Sequence, residues 1–162
     1  MRKDIYKEAE ALIDNILYVN GNTIAGAEAT CDADLMAYAR AAEYYMRVIA
    51  HSISLCRHHS SEMDIKIAAA GDKTCQEIKV LSDIYAVGDA DRALAEQHNK
   101  AINDAKKNIR HMLTLCSRDG SPLRDLTDDM RQLDSYVNRM HKDLAEQRER
   151  LKELRTERIT KE

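Results

Sequence analysis

Apolar residues recur along this chain at steps of three and four, and they do so in blocks separated by polar or glycine-containing stretches. Ile5, Ala9, Leu12, Ile13, Ile16 and Leu17 fill one face of a helix expected over about residues 2–20. Asn20-Gly21 then offers a residue suited to the left-handed conformation that ends many helices. The following stretch, GNTIAGAEATCDAD, holds two of the five glycines and no helical stripe. It reads as the longest loop.

A second helix is expected over about residues 33–57, capped by Thr30 or Asp32. Its stripe is Leu35, Ala39, Ala42, Met46, Ile49, Ile53 and Cys56. His58-His59-Ser60-Ser61 interrupts the stripe, and Ser61 with Asp64 resembles a capping pair, which predicts a turn and a third helix over about 62–86. Nothing in that segment strictly breaks a helix, so one long rod is the alternative. The third stripe is Met63, Ile67, Ala70, Thr74, Ile78, Leu81 and Tyr85, and Gly88-Asp89 supplies the next turn. The fourth helix, about 90–117, presents Leu94, Ala101, Ile102, Ala105, Ile109, Met112, Leu113 and Cys116.

Arg118-Asp119-Gly120 ends it, and Ser121 with Pro122 has the form of a helix start. From there Leu123, Leu126, Met130, Leu133, Val137, Met140, Leu144, Gln147, Leu151 and Leu154 alternate steps of three and four. That spacing is the 3.5-residue repeat of a left-handed helical seam. The whole pattern predicts an all-α protein: an antiparallel four-helix bundle over residues 1–120 and a protruding coiled-coil-like helix over 121–162.

Composition sharpens this picture. The chain has no Phe or Trp and one Pro, so its core must be built from aliphatic, Met and Tyr side chains. The 25 basic and 28 acidic residues are well mixed and leave a net charge of −3, which argues against a DNA-coating protein. One local exception stands out: Lys106, Lys107, Arg110 and Arg118 have no acidic residue between them. Such a band can contact phosphates, or it can be a solvated helix face with cations near the C-terminal end.

The N-terminus has no apolar signal region and no run is long enough for a membrane span. Cys31, Cys56, Cys75 and Cys116 are widely spaced in a chain large enough to fold without staples, which reads as reduced thiols in a cytoplasmic protein.

Tests for catalytic or metal chemistry fail on spacing. None of His51, His58, His59, His98, His111 or His141 follows a Glu by three residues, as di-iron bundles require. Cys56 and His59 could share a zinc ion, but a structural site needs four ligands and no second pair exists at similar spacing. There is no phosphate-cradling glycine loop and no nucleophile elbow. The expectation is a non-enzyme without cofactor. Tyr38, Tyr44 and Tyr45 cluster on the second helix, and partly exposed tyrosines suit a subunit or partner surface. Leu144, Leu151 and Leu154 are the candidates for helix–helix association along the seam.

The stretch CQEIKVLSDIYAVGDADRALAEQ and the following INDAKKNIRHMLTLC resemble the last two helices of a family of small four-helix bundles. These are the proteins encoded in ribosomal RNA intervening sequences, a fold shared with the accessory variability protein of diversity-generating retroelements. Glu77, Leu81, Gly88, Arg110, Met112 and Leu113 stand at the corresponding places, and LMAYARAAEYYMRVIAHSISLCRH is similar to the family's Arg/Ala-rich helix. The resemblance covers about residues 5–117. It implies a homo-oligomeric adaptor that helps a reverse transcriptase and its RNA assemble. A structural assembly protein that binds no nucleic acid is the alternative.

Overall fold

A computed structural model describes residues 4–71 and 76–160, with side chains described over 4–71 and 92–155. Asp4 opens helix α1 (Ile5–Thr30): its carboxylate accepts a hydrogen bond from the Lys7 amide at 3.1 Å. The helix ends in a left-handed turn at Cys31 (φ 53°, ψ 38°). There the Cys31 and Asp32 amides donate to the carbonyls of Glu28 and Ala27 at 3.3 and 3.0 Å. Asp32 then caps helix α2 (Ala33–Gly71), accepting from the Leu35 amide at 3.0 Å. Helix α3 follows (Gln76–Ser117), then Gly120 at φ 71°, a 3-10 turn at Arg124–Leu126 and helix α4 (Thr127–Thr160).

Side-chain contacts fix the directions. Arg57 reaches both carboxylate oxygens of Glu10 at 2.7 and 2.8 Å, and Asn20 donates to the Ala39 carbonyl at 2.8 Å, so α1 and α2 are antiparallel. Tyr45 meets His111 while His59 meets His98, which sets α3 antiparallel to α2. His98 meets His141 while Cys116 meets Thr127, so α4 turns back along α3. Each helix packs on its predecessor, and α4 also packs on α1 and α2. This up-down-up-down arrangement is the expected all-α bundle, with no strand among the described residues.

One buried cluster joins the four helices, from Ile5, Ile13 and Ile16 through Met46, Ile49 and Ile53 to Ile109, Met112, Leu133 and Met140. Several boundaries differ from those read off the sequence. The expected loop at 21–34 is helical to Thr30, because Ile24 and Ala27 continue the stripe of Ile13, Ile16 and Asn20 into the core. Residues 58–61 do not interrupt α2, since His59 and Met63 extend the buried row from Ser52 and Cys56, but the rod ends at Gly71, so the helix expected over 62–86 is divided between the end of α2 and the start of α3. The expected turn at Gly88-Asp89 lies inside α3: a single glycine costs a helix only about 1 kcal/mol and need not end it. Helix α4 starts at Thr127 rather than at Pro122, after a 3-10 turn whose flanking Leu123 and Leu126 are buried.

The protruding seam is also corrected. Leu144 and Leu151 are buried in the common core and Leu154 packs against it. A 3.5-residue repeat reports that a stripe is covered, and within a bundle the cover comes from the same chain.

Cys31 sits in a backbone conformation that costs an L-residue about 1–2 kcal/mol. Cys31→Gly is therefore expected to stabilise the chain by about 0.5–1 kcal/mol, a rise of about 1–4 °C in melting temperature. Thermal circular dichroism of the two proteins, both kept reduced, checks this.

Candidate nucleic-acid interface

The band anticipated on the fourth sequence block lies on the second half of α3. Buried Ala101, Ile102, Ala105, Ile109, Met112 and Cys116 define its inner face, so helical geometry directs Lys107 and Arg110 outward. Lys107, Arg110 and Arg118 are exposed, whereas Lys106 is half-buried at the edge of the face. Lys107, His111 and Arg118 follow steps of four and seven and form one row, while Asp104 separates Lys100 from it. Lys100, Lys106, Lys107, Arg110 and Arg118 form no ion pair among the described residues. Arg40 and Arg47 share Glu43 and Arg57 holds Glu10, whereas Arg124, Arg139, Lys142 and Arg148 are like the band in forming no ion pair among the described residues.

Aromatic rings border the row. Tyr45 of α2 stacks on His111 with centroids 5.1 Å apart and planes inclined by 15°. Tyr44 meets Tyr45 edge-on at 5.7 Å and is 65 % exposed. Tyr38, the third tyrosine of the group, packs against the core. Tyr44, Tyr45 and His111 thus form a ladder that crosses from α2 to the basic row of α3. Sequence reasoning placed the tyrosines and the cations separately. The link was hidden because residues 45 and 111 meet only once the α2–α3 pairing register is known.

The remaining candidates fall elsewhere. Leu144 and Leu151 are core residues, 1 % and 3 % exposed, so they present no surface to a second subunit. Cys56 completes the apolar stripe of α2, and burial pushes its thiol up to about 12. His59 turns instead toward His98, with ring centroids 6.2 Å apart. Among the described residues no three His, Cys, Asp or Glu side chains converge as a metal ion requires.

An open cavity of about 320 Å3 lies at the start of α1, where Arg57, Ser60, Asp64 and Asp143 line it. Of its charged groups, Arg57 is engaged with Glu10 and Asp64 with Gln147. No helix among the described residues is long and apolar enough to cross a membrane. Compared with known proteins, the chain matches no family model, no curated protein and no solved structure.

Proposed function

We propose that this chain is a non-enzymatic helical adaptor whose α3 face holds an RNA strand within a larger nucleic-acid-processing complex, such as that of a reverse transcriptase. One observation carries the reading: a band of cations from Lys106 to Arg118 with no acidic residue among them, bordered by exposed Tyr44 and His111 and the half-buried Tyr45 between their rings. Cations without a protein carboxylate partner attract phosphates and release counterions on binding. Aromatic faces accept unpaired bases without needing a particular sequence. The net charge of −3 confines the attraction to this face, since the rest of the surface repels a polyanion.

Titration of a labelled single-stranded RNA at two or more salt concentrations tests the reading. Lys107→Ala with Arg110→Ala is expected to weaken binding and to lower the salt slope by about 1.4, each phosphate contact on a single strand contributing about 0.7. Binding that is absent, or that ignores both the salt and the double substitution, refutes it.

The second reading is a structural assembly protein, and it has its own support. Tyr18 and Val19 are adjacent on α1 and are 70 % and 41 % exposed. Exposed tyrosines of this kind are enriched where proteins meet. Light scattering of the intact chain and of Tyr18→Ser separates the two. A native mass above the monomer that falls in the variant, with no RNA affinity, favours assembly alone.

A further inference from the structure

Imidazole rings from three helices meet across the bundle where α1 begins. His59 of α2 stands 6.2 Å from His98 of α3, and His98 stacks on His141 of α4 at 5.6 Å with planes inclined by 20°. His58 continues the series outward at 6.3 Å from His59 and holds Glu62 at 2.9 Å. His59 and His98 are each 3 % exposed. Neither ring nitrogen of His98 has a hydrogen-bond partner, nor has Nδ1 of His59. A neutral imidazole needs one donor and one acceptor partner, and an imidazolium needs two acceptors. The His98 pocket supplies none.

The titratable and charged side chains bearing on His98 are all basic, so none of them helps it hold a proton. From α2 comes His59, and from α4 come His141 and Arg148. His59 itself is raised by Glu62 of its own helix and by a hydrogen bond with Gln97 of α3, and lowered by His58, but burial outweighs these and depresses it. For His98, burial first and then these neighbours hold the imidazole down at about 4. Both rings are therefore neutral in the folded chain near neutral pH.

The layer also marks a change in the thickness of the bundle. Tyr6, at the start of α1, faces Ser60 of α2 and Asp143 of α4, so α1 reaches no further than this level. Beyond it α2, α3 and α4 continue without α1, over a core whose described members are Met63, Ala70, Leu94 and Leu151, with Ile67 and Leu154 at its edge. A layer of three helices gives each helix fewer packing partners than a layer of four, and such a segment opens at lower cost than the rest of its domain.

We propose that the His59–His98–His141 layer is an acid-sensitive latch that releases the distal α2–α3–α4 segment while the four-helix part stays folded. Opening the segment hydrates the rings, and a hydrated imidazole takes up a proton that the closed pocket refuses. The sign follows from this difference. The open state binds more protons than the closed state, so closure weakens as pH falls from the usual histidine range toward 4. With an open-state value of 6.5 and a closed value of about 4, His98 alone favours opening on the order of 20-fold more at pH 5 than at pH 7.

Amide hydrogen exchange on the full chain at pH 7 and pH 5, corrected for intrinsic rates, provides the test. Protection at residues 63–70 and 147–155 is expected to drop on the order of 20-fold, while amides near Met46 and Ile109 lose much less. His98→Leu, which fills the pocket without a titrating group, is expected to remove most of the distal effect. Equal loss at both ends of the bundle, or an unchanged distal loss in His98→Leu, overturns the proposal. So does an NMR titration in which His98 protonates in the ordinary histidine range with no shift of distal amides.

Discussion

Leu144→Asp is expected to unfold the bundle, not to separate subunits. Leu144 is 1 % exposed and belongs to the same cluster as Ile5, Ile53 and Ile102. The substitution removes a leucine's share of buried apolar area, worth about 2–5 kcal/mol with the cavity it leaves. It also strands a carboxylate without a partner, so the group must either stay charged at high cost or take up a proton. The combined loss exceeds about 4 kcal/mol, against a total stability of about 5–15 kcal/mol for an ordinary domain. Far-ultraviolet circular dichroism and a thermal melt of the variant check this. A variant with the parent's helicity and melting temperature would place Leu144 on a surface and refute the packing described here.

Ile109→Ala carries the second-largest effect. Ile109 is fully buried on the inner face of α3, in the same cluster as Ile49 of α2 and Leu133 of α4. Truncation should cost about 2–5 kcal/mol, which lowers the melting temperature by about 4–20 °C for a domain of this size. Ile65→Ala supplies the control: this isoleucine of α2 is 69 % exposed, so its truncation should change stability by less than about 0.5 kcal/mol. Denaturant midpoints of the two variants, compared at equal slope, read the difference.

The two substitutions also mark where the sequence was readable. Ile109, with Ala105, Met112 and Cys116, belongs to a stripe visible as three- and four-residue steps, and all four are buried. Leu123 to Leu151 were equally visible as a repeat, and all the apolar members over that span are buried. Periodicity fixes which face of a helix is covered, because only one face can be turned from water. It does not say which helix provides the cover, so the α4 seam pointed as readily to a second subunit as to α1, α2 and α3.

Helix ends were harder to see, for a physical reason particular to this chain. Polar residues at core positions break the visible stripe without breaking the helix. Asn20 interrupts the row of Ile13, Ile16, Ile24 and Ala27, yet it is buried and donates to the Ala39 carbonyl. His59 is likewise buried in the row of α2, and His98 in that of α3. Gln147 replaces a leucine in the seam of α4, where it donates to the Ser60 carbonyl and to Asp64 at 3.3 and 2.6 Å. In the sequence Asn20 and His59 read as helix ends and His98 falls outside the stripe, whereas Gln147 keeps its place in the repeat. A row that resumes in register after one polar position is better read as a helix with a buried polar contact. The basic band was legible as composition, but its aromatic border depended on tertiary register.

The up-down-up-down order of α1 to α4 bears on how the molecule assembles. Each of α2, α3 and α4 packs on the helix synthesised just before it, so the native contacts can be collected by successive hairpins. Short-range closures of this kind cost little chain entropy. A nascent chain can dock α1 on α2 before the seam of α4 has been made, and α4 then completes the cover by laying its leucines into a cleft already lined.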